Sequence, residues 1–260
     1  MADLRIFSYL PNPRLYKATI AARFSGAEIE IVGSPPRELM NQLWDFEPRE
    51  LSQQDKSDLT EYARPAAVGF KGGMLYKTDA FLLAHPFGNV PAGFSGDGSI
   101  GIFESNSIMR AAARIGPNGA PLLGDGPMGQ SRVDAFLDRS LVFARDMQRY
   151  LLSGEKLNAE LHQDTQESYR SYVTGLDRAL SNSEFVAGPR LTLADIVVTC
   201  ELCLVTNEAR YAETFDRLGV GPISAELSKH THLMRHLRTL STDDRFSADL
   251  SSYFEKLFSA

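Results

Sequence analysis

Short runs of alternating and periodic hydrophobic positions open the chain. Leu4–Tyr9 is apolar enough for a strand, and residues 28–32 alternate polar and apolar side chains, which is typical of a half-buried strand. Between them, Pro13–Ser25 is predicted to be a helix, because Asn12 can cap its start and Gly26 follows its end. The first part of the chain therefore predicts a βαβ unit with two parallel strands.

A second α/β pattern follows a long interruption. Residues 34–77 mix prolines, polar clusters and Trp44 without one clear period, and we interpret them as an irregular or partly helical insertion. Residues 88–94 and 99–103 are predicted to pair as an antiparallel hairpin. Ser105 is placed to cap the helix that comes next. The predicted order is therefore βαβ, insertion, ββα.

From residue 129 onward the pattern is helical. Apolar positions recur every three or four residues along two long segments. Thr192–Asp195 has the spacing of a capping box and precedes an apolar run to Val205, which we expect to be a buried helix. We predict an α/β domain over residues 1–116, which contains the insertion, and an all-helical domain over residues 129–260.

Composition and charge narrow the function only slightly. The 260 residues include 27 Lys plus Arg against 33 Asp plus Glu, and the net charge of -6 argues against direct nucleic-acid binding. No apolar run reaches the roughly 20 residues of a membrane helix, and the N-terminus does not have the pattern of a signal peptide. We therefore expect a cytoplasmic protein without a membrane partner.

Motifs for other chemistries occur in the wrong context. Residues 96–101 match G-x-G-x-x-G, but they lie in the predicted hairpin and do not open a helix. Cys200 and Cys203 lie inside a predicted helix, where we expect buried thiols. His232 and His236 have i, i+4 spacing without an HExxH glutamate, so we predict a surface helix and no metal site.

The hairpin and the helix after it carry the most informative residues. Pro91 cannot donate to a strand ladder, and a cis bond there would leave the Val90 main chain free for a ligand with peptide-like groups. Ser105 opens a helix, where its hydroxyl, its N–H and the helix dipole favour an anion, and Glu104 can hold an amine. These groups suit an α-amino acid head joined to a peptide bond. An ordinary turn proline and an ordinary cap are the structural alternative.

The same residues resemble a known family. Residues 87–108 resemble the G-K-V-P and E-S-x-A-I block of the cytosolic glutathione transferases, and Thr192–Ile196 resembles their capping motif in the helical domain. Residues 9–26 are most similar to the transferase-like domain of the elongation factor 1B gamma subunit, to related fungal transferases and to bacterial heterodimeric β-etherases. The resemblance implies a thioredoxin-like N-terminal domain, an all-α C-terminal domain, glutathione as cofactor, and a dimer of identical or paralogous subunits.

The resemblance also implies roles for single residues. Val90–Pro91 would hold the cysteinyl main chain, and Glu104–Ser105 would hold the γ-glutamyl head. Asn89 stands where a lysine often faces the glycyl carboxylate. Asn12 stands where Ser, Cys or Tyr usually stabilises the thiolate. An asparagine N–H and the helix dipole can also favour a thiolate, and the alternative is that Asn12 only caps its helix.

Two functions follow from this resemblance. The first is a transferase of aromatic compound metabolism, in which glutathione thiolate attacks a small aromatic electrophile; its most specific form is the cleavage of lignin-type β-aryl ethers to a glutathione thioether and a phenol. Phe136, Phe143 and Tyr211 are candidate walls of the aromatic pocket. The second is a non-catalytic interaction module like the gamma subunit. The end of the chain at Ala260, without a linker and a further domain, favours the enzyme.

Overall fold

A boundary between Pro117 and Asn118 divides the chain into two units. The structure is a computed structural model that describes residues 2–66 and 72–259; Met1, residues 67–71 of the predicted insertion, and Ala260 lie outside the described residues. The first unit mixes helices and strands, and the second is built from helices.

The first unit contains two four-stranded sheets within the described residues. Its strands and α-helices are β1 (Leu4–Tyr9), α1 (Pro13–Ser25), β2 (Ile29–Ser34), β3 (Gln42–Trp44), β4 (Arg49–Glu50), α2 (Gln53–Asp58), β5 (Ala63–Pro65), β6 (Met74–Lys77), α3 (Asp79–Ala84), β7 (Ala92–Ser95), β8 (Gly101–Ile102) and α4 (Ser105–Ile115). One sheet has the order β2-β1-β7-β8, in which only β1 and β2 are parallel. Helices α1 and α4 pack against each other.

The βαβ unit forms as predicted, and residues at both ends of α1 delimit its helix. The side chain of Asn12 accepts a hydrogen bond from the Arg14 N–H, and Pro13 is the first residue of α1. Gly26 ends the helix with a φ of 79°, a left-handed conformation that favours glycine. β2 then returns parallel to β1. The predictions of the βαβ unit and of the antiparallel β7–β8 hairpin are confirmed.

Residues 34–77 are partly helical, as predicted, because they contain α2, but the prediction missed their strands. Their described part contains the second sheet, in the order β4-β3-β6-β5. These strands have two to four residues, which is too short for an alternating pattern to be visible in the sequence. Trp44 ends β3 and is buried, with its ring centre 5.5 Å from that of Phe7 and 5.8 Å from that of Phe81. The segment therefore shares one hydrophobic core with β1.

The second unit surrounds one fully buried helix. Its α-helices are α5 (Gly126–Leu151), α6 (Ala159–Leu180), α7 (Leu193–Val205), α8 (Ala212–Leu218), α9 (Thr231–Ser241) and α10 (Asp244–Ser259). Every residue of α7 is buried, and Thr192 and Asp195 form the predicted capping box at its start. Among residues 2–66 and 72–259, no helix is both long and apolar enough to cross a membrane.

The predictions for the cysteines of this unit are confirmed, whereas those for its histidines are only partly right. Cys200 and Cys203 are thiols buried in α7, as expected. The expectation of a surface helix is wrong for His236, which is buried with its Nε2 3.1 Å from Oδ1 of Asp195. His232 instead contacts the guanidinium of Arg235. His236 therefore lies beside the buried carboxylate at the start of α7.

Candidate functional site

Asn12 and Pro91 lie at the same end of the first sheet. In the antiparallel pairing of β1 with β7, Phe7 stands opposite Ala92, so the register continues from Ser8 toward Pro91. The Asn12 Nδ2 donates a hydrogen bond to Ser8 Oγ at 3.1 Å. The fold therefore brings two residues together that are nearly 80 positions apart in the sequence.

Val90 and Pro91 immediately precede β7. The peptide bond between them is cis, as is the bond between Leu10 and Pro11 at the other strand of the pair. Both Val90 and Pro91 are half-buried. Residues at the start of β7 are therefore not fully enclosed by the protein.

Asn12 is 1% exposed and uses both ends of its amide. Its Oδ1 accepts the Arg14 N–H at 3.0 Å, which confirms Asn12 as the cap of α1. Its Nδ2 donates to Ser8. An amide nitrogen carries two hydrogens, so Asn12 can cap the helix and still donate a second hydrogen bond from Nδ2.

Glu104, rather than Ser105, occupies the cap position of α4. Glu104 has a φ of 67°, which is uncommon for a residue other than glycine, and its exposed side chain makes no capping bond. Ser105 is the first residue of the helix and is 8% exposed. The prediction that Ser105 caps α4 is wrong, because its hydroxyl is engaged elsewhere. It contacts a side chain from α1.

That side chain is Lys17, which the sequence pattern did not single out. Lys17 is 1% exposed, and its Nζ donates to Ser105 Oγ at 3.1 Å and to Asn106 Oδ1 at 2.9 Å. The sequence does contain a signal for Lys17, because this charged residue lies in α1 close to Ala18 and Ala21, which are both buried. Lysine is almost never fully buried without partners, so its place in such a helix marks an unusual environment.

A second lysine lies beside Asn89. Lys77, the last residue of β6, donates from Nζ to the Gly88 carbonyl oxygen at 2.8 Å and lies 4.8 Å from the centre of the Trp44 ring. Burial, together with the positive charge of Arg64, lowers the pKa of Lys77 below its ordinary value. Asn89 itself is exposed. Lys77 of the second sheet therefore lies next to Asn89, the position at which the resembling family often has a lysine.

The three predicted pocket aromatics have different surroundings in the second unit. Phe143 is buried and stacks on Tyr172, with ring centres 4.1 Å apart. Tyr211 is buried, and its hydroxyl donates to the carbonyl of the last residue of α5. Phe136 is half-buried beneath the guanidinium of Arg132. Their role as walls of a substrate pocket stays a prediction.

Solved structures similar to the chain are glutathione transferases. Glutathione S-transferase I bound with lactoylglutathione aligns with a TM-score of 0.63 at 15% identity, over 96% of this chain and 99% of that one. A glutathione S-transferase from Methylobacillus flagellatus with GSH bound aligns with a TM-score of 0.64 at 12% identity, over 95% and 98% of the two chains. The chain has the glutathione transferase fold.

Sequences similar to the chain include those of elongation factor 1-gamma. The proteins from Homo sapiens and Equus caballus are 28% identical to this chain over 206 residues, which is 78% of this chain and 38% of each relative. The protein from Danio rerio is 26% identical over the same length. The chain therefore matches well under half of these relatives. No protein-family model matches it.

Proposed function

We propose that the first unit of this glutathione transferase fold binds glutathione, and that the protein is a glutathione transferase acting on small aromatic electrophiles. The observation that carries the proposal is the Lys17–Ser105 pair at the start of α4, in the same unit as Asn12 and Pro91. This grouping supplies hydrogen-bond donors for a carboxylate, main chain for a peptide and an amide donor for a sulfur.

Different residues of the site bind the three parts of glutathione. Val90–Pro91 offers main-chain groups to the cysteinyl residue, and Ser105 offers its hydroxyl to the γ-glutamyl carboxylate. The exposed carboxylate of Glu104 faces the γ-glutamyl amine. Asn89 is neutral, and we propose that Lys77 provides the positive charge for the glycyl carboxylate, which its contact with Gly88 supports.

Glutathione, when bound, supplies a thiolate that forms a carbon–sulfur bond while the carbon–oxygen bond of the substrate breaks and the phenoxide leaves to take a proton from water. Asn12 stabilises the thiolate by donating an Nδ2 hydrogen, and the N-terminus of α1 adds its positive dipole end. Each lowering of a thiol pKa by one unit corresponds to about 1.4 kcal/mol of preference for the charged form. Two modest contributions therefore suffice to raise the thiolate fraction.

The most specific substrate that we propose is a lignin-type β-aryl ether. Such a reaction needs sulfur, carbon and leaving oxygen nearly in line, and a pocket that excludes water. Aromatic side chains provide flat apolar surface for the substrate rings. Phe136 is the best placed of the three predicted wall residues, because it is half-buried whereas Phe143 and Tyr211 pack within the helical unit.

A second candidate is an interaction module without turnover, like the gamma subunit of the elongation factor. The 28% identity with elongation factor 1-gamma over most of the chain favours it. Burial of Asn12 also favours it, because the role of helix cap by itself explains why an asparagine is buried at this position. Glutathione binding alone does not separate the two candidates, but turnover does.

We further propose a dimer of identical or paralogous subunits in the cytoplasm. Phe87 and Phe103 are 68% and 38% exposed, and their rings touch with centres 5.4 Å apart. Burial of this exposed aromatic pair against a partner subunit would remove apolar surface from water. In sedimentation velocity, Phe87→Asp should shift the protein toward the monomer, whereas an unchanged dimer would move the contact to another surface. The buried thiols are compatible with a reducing compartment.

Product analysis tests the proposed reaction. The protein is incubated with glutathione and each enantiomer of a model β-aryl ether, and products are separated by chromatography. A glutathione thioether plus free phenol from one enantiomer supports the etherase. Turnover of generic aromatic electrophiles alone supports a broader transferase, and absence of all turnover, with glutathione still bound, supports the interaction module.

A further inference from the structure

Lys17 places an amino group inside the first unit, directly behind Ser105. Its side chain is 1% exposed, and its Nζ lies 3.1 Å from Ser105 Oγ and 2.9 Å from Asn106 Oδ1. The two acceptors are the first two residues of α4, whereas Lys17 belongs to α1. The contact therefore joins the packed pair of helices at the point where α4 begins.

The chemistry of an ammonium group fixes the direction of these hydrogen bonds. An ammonium donates three hydrogen bonds and accepts none. Ser105 Oγ must therefore accept from Lys17, so the hydroxyl hydrogen of Ser105 points to a different partner. In addition, the first N–H groups of a helix have no partner within that helix. The Ser105 hydroxyl at the start of α4 is thus a donor, with the Lys17 side chain behind it.

We propose that Lys17 is a positioning residue that makes this site selective for the γ-glutamyl carboxylate, acting through the hydroxyl of Ser105. This inference rests on the proposed binding of glutathione. Lys17 does not touch the ligand. It orients the Ser105 hydroxyl as a donor. Its positive charge attracts the carboxylate, from which it is separated by the Ser105 oxygen.

The distances set the size of the effect. The 3.1 Å from Nζ to Oγ, followed by a hydrogen bond of about 2.7 Å, keeps the ammonium within about 6 Å of a bound carboxylate oxygen. Opposite charges at such a separation inside a protein interact strongly compared with a pair in water. We expect removal of the charge to weaken carboxylate binding by about 10- to 100-fold. Binding of a ligand without that carboxylate should hardly change.

Two ligands and three variants test this inference by calorimetry. The ligands are glutathione and 4-aminobutyryl-cysteinyl-glycine, which keeps the amine and lacks only the γ-glutamyl α-carboxylate. Lys17→Met removes charge and hydrogen bonds, and Lys17→Gln removes the charge while keeping a donor. Lys56→Met is the matched control, because Lys56 on α2 contacts Asn41 and its loss changes the net charge equally. Circular dichroism and melting check that each variant is folded.

The expected result is that Lys17→Met and Lys17→Gln lose affinity for glutathione alone, while Lys56→Met binds both ligands as the wild type does. Equal losses for both ligands would show a merely structural role and overturn the inference. Where neither Lys17 variant folds, the wild type decides: it should prefer glutathione to the shorter analogue at least tenfold, and equal binding overturns the inference. A wild type that binds neither ligand refutes the proposed function itself.

Discussion

Asn12 and Ser8 are joined by a hydrogen bond of 3.1 Å from Nδ2 to Oγ, although Asn12 also caps α1 through Oδ1. The amide is thus held at both ends, and its plane is fixed relative to β1 and α1. A donor held in this way is oriented before any ligand arrives. The same geometry serves a helix cap equally well, so substitutions at Asn12 must separate stability from turnover.

Asn12→Ala should lower both stability and turnover. Loss of the cap costs about 1 kcal/mol of unfolding free energy. If Asn12 donates to the thiolate, turnover should also fall by about 10- to 100-fold, because the donor acts on the reacting sulfur. Glutathione affinity should change less, since the contacts that hold the tripeptide remain. Steady-state kinetics and thermal melting measure the two effects.

Two further variants at Asn12 distinguish the roles. Asn12→Asp retains a good cap but removes the N–H donor and buries a carboxylate, so its turnover should fall, and its melting temperature shows how much stability is lost with it. Asn12→Ser retains both a cap and a hydroxyl donor, and its turnover should recover. Wild-type turnover in a folded Asn12→Asp protein would leave Asn12 as a structural cap only.

Ser105→Ala should weaken glutathione binding by about 1 to 3 kcal/mol, because the ligand carboxylate loses a donor and Lys17 loses an acceptor. Calorimetry measures the change. Ser107→Ala, in the same turn of α4, is the matched control and should bind as the wild type does. Equal binding by both variants would place the γ-glutamyl head elsewhere in the unit.

The sequence predicts elements whose ends carry strong local signals. Asn12, Pro13 and Gly26 delimit α1 within one short stretch, and each acts through its own backbone preference. Thr192 and Asp195 mark α7 in the same way. Such signals depend on neighbours in the sequence, so they can be recognised without knowledge of the fold.

Contacts between distant segments could not be predicted in this way. The strands of the second sheet are stabilised by pairing and by the burial of Trp44 against Phe7, which lies far away in the sequence. Lys17 likewise meets Ser105 across 88 positions. Neither contact produces a periodic pattern in the sequence. The resemblance located Ser105, but its partner became visible only with the packing of α1 on α4.

Trp44 should report on the first unit alone, because it is the single tryptophan of the chain. Its ring is 1% exposed, and its Nε1–H donates to the Leu39 carbonyl oxygen at 3.0 Å. We expect emission at short wavelength and weak quenching by acrylamide, followed by a red shift in urea. Emission typical of a mobile, water-exposed indole would contradict the packing of the second sheet on this core.

His85 should make the first unit less stable in mild acid. Its ring is 1% exposed between Phe81 and Phe94, with ring centres 5.1 and 4.6 Å away. Burial lowers the pKa of His85 from its ordinary 6.5 to about 4, against a smaller opposing contribution from the Gly93 main chain. The imidazole therefore stays neutral in the folded protein at pH values where the unfolded chain already binds a proton.

The sign of the pH dependence follows from this difference in proton binding. Between pH 6.5 and about 4 the unfolded state binds more protons at His85, so the unfolding free energy falls as the pH falls through this window. The full effect amounts to up to about 3 kcal/mol, and it is absent above pH 7. Urea unfolding followed by Trp44 fluorescence at pH 7.5 and pH 5 measures it. His85→Leu should lose this part of the pH dependence, whereas His232→Leu in the second unit should keep it. If the unfolding free energy falls equally between pH 7.5 and pH 5 in the wild type and in His85→Leu, His85 is protonated without loss of packing.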